Sequence, residues 1–159
     1  MPVNTYAEFN NYFRTLATEH VGINDFVQGL SERPLNRETS RINYPIVWLQ
    51  YPDVVSIGQG ENLRFKYEFD LYFLSNAPID DWDREEENMS LLEGIAKDFL
   101  ARLHYDARQR EFEFNYTKPV LFAVTAWSAD NLHGWRLEAS IETIGEFCYD
   151  PDVWVQASN

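Results

Sequence analysis

Cysteine is almost absent: the 159 residues contain one, Cys148. A single thiol cannot close an internal disulfide, which fits a reducing compartment. Its neighbours are Phe147 and Tyr149, with Glu146 close by. An apolar and acidic setting disfavours the thiolate, so a buried structural cysteine is expected there, not a nucleophile. Cations are scarce too. Thirteen Lys and Arg stand against 26 Asp and Glu, a formal charge of −13. Proteins that hold nucleic acid displace counterions with clustered Lys and Arg. Here only Arg102, Arg108 and Arg110 approach a cluster, and Glu111 and Glu113 follow directly. Stable DNA binding is not expected. An acidic surface repels DNA over a Debye length of about 8–10 Å. That suits a protein beside DNA that must not stick to it, and equally one that never meets DNA.

Histidine is limited to His20, His104 and His133. No two have helical ligand spacing, and no His or Cys cluster exists. His20 and His104 are read as helix-end residues and His133 as part of a turn. Long apolar runs are missing, so no segment reaches the ~20 residues that span a bilayer. The opening Met1-Pro2-Val3-Asn4-Thr5 has neither a basic nor an apolar leader region. A soluble chain made in the cytoplasm, with no membrane partner, is expected. Catalytic signatures are lacking as well. There is no G-x-S-x-G and no P-loop, and Gly58-x-Gly60 lacks the rest of a dinucleotide fingerprint. No catalytic, cofactor or metal residues are assigned, and no enzyme is expected.

What is present is aromatic. Five Trp, nine Tyr and eleven Phe make 16% of the chain. Disordered chains are poor in such residues, so this one folds, and its length suits one domain over 1–159. Strands favour aromatics, and so do protein interfaces. Trp48, Trp82, Trp127 and Trp154 are the candidates for interface duty.

Thr5-x-x-Glu8 has capping-box spacing, and Tyr6, Phe9, Phe13 and Leu16 recur at helical intervals. A first helix is expected to end near His20, with Gly22 as a stop. Ile23–Val27 reads as a short strand. Residues 29–43 read as a loop, or as an arm touching a neighbour through Arg33, Arg37, Glu38 and Arg41. Tyr44–Leu49 reads as a strand entered through Pro45. The clearest pattern is 63–74, where Leu63, Phe65, Tyr67, Phe69, Leu71 and Phe73 alternate with Arg64, Lys66, Glu68 and Asp70. That predicts one long strand with a greasy and a wet side, bent at a bulge or reaching out as a hairpin arm.

Asp80, Asp81, Asp83, Glu85, Glu86 and Glu87 lack the oxygen ladder of a calcium loop and read as a helix start favoured by the dipole. The second helix is expected over 84–104, buried through Leu92, Ile95, Ala96, Phe99, Leu100 and Leu103, with Gly94 allowing close approach to the sheet. Runs at 112–116 and 120–127, separated by Lys118-Pro119, and a run at 135–143 read as strands. Residues 150–159 read as an edge strand or docking tail. The expectation is an α+β fold: a largely antiparallel β-sheet with two helices packed on one face.

This arrangement resembles the tail-terminator and tail-completion (head-tail joining) proteins of tailed phages. The likeness rests on the helix Tyr6–His20, the strand Tyr44-Pro45-Ile46-Val47-Trp48-Leu49, and the long strand around Lys66–Phe73. It continues in the helix around Leu91–Leu100 and the strand Trp135–Glu142. The resemblance implies a virion protein: a ring of six or more copies that caps the tail tube, contacts tube and neck or connector proteins, and lets DNA pass without tight binding. The alternative is a small soluble adaptor, with a ligand held between helices and sheet.

Overall fold

A computed structural model of the chain describes residues 3–29, 42–109, 112–127 and 131–143. The element order is helix α1 (Tyr6–Glu19), strands β1 (Asp25–Gln28), β2 (Ile46–Leu49), β3 (Asp53–Ile57) and β4 (Arg64–Asn76), helix α2 (Trp82–Arg108), and strands β5 (Glu113–Trp127) and β6 (Leu132–Glu142). The fold is α+β. The sheet runs β1-β2-β4-β6-β5, with β3 paired to β4 off that path. Every pairing is antiparallel except β1 with β2. The segment 29–43 falls almost wholly outside the described residues, and Cys148, Trp154 and 150–159 fall entirely outside them.

The capping box forms. The Glu8 N–H donates to Thr5 Oγ1 at 3.2 Å, and Glu8 Oε2 accepts from the Thr5 N–H at 2.9 Å. α1 buries Phe9, Tyr12, Phe13, Leu16 and Ala17. Tyr6 is not among them: it is 41% exposed and rests against Tyr51. Tyr12 takes an inward place because its hydroxyl has a buried acceptor, Asp106 Oδ2, at 2.7 Å. Arg102, one turn earlier on the same helix, holds that carboxylate through Nε at 2.9 Å, so the Tyr12 bond that ties α1 to α2 has a fixed acceptor.

β4 is the axis of the sheet. β6 pairs along one edge from Lys66 to Asn76. The other edge is shared end to end by β3, opposite Arg64–Glu68, and β2, opposite Leu71–Leu74. The long strand is therefore flanked along its length and is not an arm. Tyr67, Phe69, Leu71 and Phe73 join one core cluster with residues of both helices. Phe9 stacks on Tyr67 at 4.9 Å, Phe13 meets Phe69 at 4.9 Å, and Phe99 meets Phe73 at 5.0 Å. The opposite side of β4 is wet only in its first half. Tyr72 and Leu74 are buried there in a second cluster with Val27, Ile46 and Trp48. All four residues of β2 are buried.

α2 is longer than expected at both ends. Asp81 caps it, accepting from the Arg84 N–H at 3.1 Å. Gly94 does not approach the sheet: it is exposed, and a Cβ there would have no heavy atom within 4 Å. β5 is one strand with an irregularity at the Lys118-Pro119 break. Between Tyr116 and Leu121 it advances five residues while β6 advances two, from Ala139 to Leu137. β6 begins earlier than expected, so His133 and Gly134 are strand residues and not a turn.

Candidate functional site

The three histidines lie apart, each with a structural task. His20 closes α1: its Nδ1 accepts from the Gly22 N–H at 3.0 Å, and its Nε2 meets Asp98 of α2 at 3.1 Å. His104 sets its ring edge-on to Phe114 and Tyr116. His133 is fully buried. Its Nδ1 donates to the Asn131 carbonyl at 2.9 Å, which leaves Nε2 to accept from Asn88 Nδ2 at 3.1 Å. Asn88 Nδ2 also reaches the Asn76 carbonyl at 3.1 Å, and Asn131 Nδ2 reaches the Ala77 carbonyl at 3.3 Å. This polar latch pins the β4–α2 connection from two sides. Sequence reading missed it because nothing in Asn131-Leu132-His133 marks burial. Among the described residues no group of His, Cys, Asp and Glu could hold a metal ion. The acidic run at 80–87 is the start of α2.

The wet half of the sheet forms an open trough of about 460 Å³. Asp53, Lys66, Glu68, Asp70 and Glu138 supply its charges, and Tyr51, Phe69 and Tyr116 its apolar surface. These carboxylates share a face because alternate residues of β4 and β6 point the same way. The cations there are matched. Lys66 pairs with Glu68 at 2.6 Å. Arg136 pairs with Glu138 at 2.8 Å and approaches Asp70 at 3.8 Å. The Arg136 guanidinium also lies over the Phe122 ring, 4.7 Å from its centre. Burial pushes the Asp70 carboxyl above its ordinary value; Arg136 pulls it back, and Glu138 and Asp53 push it further up. A phosphate would find carboxylates here, and the nearby cations already engaged. Ser140 in the lining has no histidine beside it. The space between helices and sheet is filled by Phe9, Phe13, Phe69, Phe73, Leu92 and Phe99, all buried.

β1 and β5 each have a strand partner on one side only, among the described residues. A groove of about 520 Å³ lies between β1 and α1, lined by Asp25–Gln28 and by Arg14, Ala17 and Thr18. β5 is largely exposed, and its irregularity leaves two regular four-residue stretches, Glu113–Tyr116 and Leu121–Val124. Lys, Pro and a bulge are the usual devices that blunt an edge, and all three fall between those stretches.

Of the tryptophans named for interface duty, Trp48 is fully buried, stacked on Tyr72 at 4.5 Å, and donates from Nε1 to the Gly29 carbonyl. That removes it from any surface. Trp82 is 75% exposed. The Trp127 side chain and Trp154 lie outside what is described. Among the described residues no helix is long and apolar enough to cross a membrane. No family model, no curated protein and no solved structure matches the chain, so these surfaces are read on their own geometry.

Proposed function

We propose that the chain is a structural subunit that joins copies of itself head to tail into a closed ring. By the resemblance drawn from its element order, that ring is the tail terminator, or neck ring, of a tailed-phage or phage-like particle. It joins tail tube to neck and lets DNA through. One observation carries the ring: among the described residues the sheet ends in two different strands, β1 and β5, each paired on one side only. A contact between unlike edges is heterologous, and heterologous contacts close into rings when the rotation allows. The four residues of β1 match either four-residue stretch of β5 in length, and backbone hydrogen bonds across such a seam need no special sequence.

The charge supports passage without capture. The trough presents carboxylates, and its cations are paired within the same subunit. No bond is made or broken in this role. A ligand-binding adaptor would need room between helices and sheet, and aromatic rings occupy it.

Native mass spectrometry tests the proposal. The purified chain, alone at high concentration or with the tail-tube protein of the same particle, is expected to give one closed oligomer, with six copies as the leading expectation. A strict monomer under both conditions overturns it.

A further inference from the structure

We infer that Ile79 and Trp82, at the entry to α2, form a docking knob for an apolar pocket ringed by Lys or Arg on a neighbouring, non-identical protein. The inference rests on the ring reading above for the setting in which that neighbour is met. Both side chains are 75% exposed. Tryptophan is highly buried on average, and an open one is the side chain most enriched at binding hot spots.

The knob is held rigidly, which lowers the entropy lost on docking. The Asp81 N–H donates to the Pro78 carbonyl at 3.1 Å. The Asp81 side chain accepts from the Arg84 N–H, and its carbonyl accepts from the Glu85 N–H at 3.1 Å. Asp80, between the two knob residues, holds a φ of 67°. From behind, Asn88 and Asn131 grip the carbonyls of Asn76 and Ala77. A loop that only connected two elements would need neither this bracing nor two large apolar groups facing solvent.

The surroundings choose the partner. Asp80, Asp81, Asp83, Glu85, Glu86 and Glu87 encircle the knob in sequence, against Arg84 alone. Burying it against an acidic surface would be opposed by like charges. A second copy is such a surface. Arg64, Lys66, Lys97, Arg102 and Arg136 are engaged with carboxylates of their own chain. Arg14, Arg84, Arg108 and Lys118, which have no ion pair among the described residues, are dispersed over α1, the two ends of α2, and β5. Among the described residues a second copy thus offers no open cluster of cations, and its overall charge is −13, so the complementary pocket is assigned to a different protein.

The test uses the whole chain with the purified tail-tube and neck proteins of the same particle as separate probes. Trp82→Ala and Ile79→Ser remove the knob from an exposed site. Circular dichroism melts are expected to stay at the wild-type value and ring formation to persist. Binding to one of the probes is expected to weaken at least about 30-fold. Glu86→Lys and added salt are expected to weaken it further. If the variants bind both probes as wild type does, or if they lose the ring while remaining folded, the knob is not a heterologous docking site. If the wild type neither forms a ring nor binds either probe, the reading of the ring itself fails, and this inference with it.

Discussion

Replacing two glycines by the same alanine should move stability in opposite directions. Gly134 sits in β6 opposite Leu74, inside the longest ladder of the sheet, with φ at +152°. A Cβ built there lies 1.8 Å from the Phe73 carbonyl oxygen and 3.1 Å from Leu92 Cδ1. The first contact is with backbone, so no rotamer relieves it; β4 or β6 must shift. The disfavoured φ costs about 1–3 kcal/mol. Each ladder hydrogen bond lost costs about 1 kcal/mol more. Gly134→Ala should therefore destabilise by about 3–5 kcal/mol, a drop in Tm of roughly 10 °C. Gly94 sits exposed in the middle of α2 with open space where a Cβ would go. Gly94→Ala should stabilise by about 1 kcal/mol from helix propensity alone. Urea unfolding followed by circular dichroism measures both, with the slope against denaturant as a check on the unfolded state. If Gly134→Ala unfolds within about 1 kcal/mol of wild type, the β4–β6 register is wrong. If Gly94→Ala destabilises, that face of α2 is covered.

Thr5→Ala should cost about 1 kcal/mol by removing the cap acceptor of α1. Hydrogen bonds from Asn4 and Thr5 hold the Glu8 carboxyl below its ordinary value, so the stability it lends is present above that value and lost as pH falls through the lowered one. The gap between wild type and Thr5→Ala should narrow in acid, which melts at stepped pH will show. Asp70 has the opposite sign: its raised carboxyl is costly to ionise in the fold, and the cost disappears as pH falls through the raised value toward the ordinary one. Asp70→Asn should raise Tm at neutral pH and converge with wild type in acid; a lowered Tm at neutral pH would mean that the contact with Arg136 outweighs burial.

Period was the legible part of the sequence. The alternation from Phe65 to Phe73 announced β4, and the stripe from Leu92 to Leu103 announced α2, because a half-buried element writes its geometry into every second, or every third and fourth, residue. Thr5 and Glu8 announced a helix start by chemistry local to four residues. β3 left no such trace. Asp53-Val54-Val55-Ser56-Ile57 has no buried face, and its pairing is guided by Gly58 at φ +83°, whose Cβ would lie 2.3 Å from the Asn62 carbonyl oxygen. Regular pairing of β2 stops at Leu49, yet after three residues the chain resumes as β3 along the same edge of β4. Trp48 and His133 were misplaced for a related reason: each is satisfied by a partner distant in sequence, the Gly29 carbonyl for one and Asn88 for the other. Contacts of that range are fixed by topology, and no local window contains them. Of the candidate surfaces, the carboxylates of the trough could be read as the wet side of β4, whereas which described strands end the sheet follows from strand order and was beyond the sequence.

The two proposed contacts of this chain can be told apart by salt. Subunits that each carry −13 repel, and the edges that would meet add Asp25 on β1 and Glu113 on β5. A seam of backbone hydrogen bonds gains nothing from that charge and is opposed by it. Screening shortens the reach of the repulsion from about 10 Å at 0.1 M to about 3 Å at 1 M, so salt should favour the ring. The knob should behave in the other sense. Its attraction to a basic rim is part of what selects the partner, and the same screening removes it. Raising salt on an assembled complex should therefore release the neighbouring protein while the ring persists. Should the ring fall apart first, ion pairs would be holding the subunits together, and the edges of β1 and β5 would have another purpose.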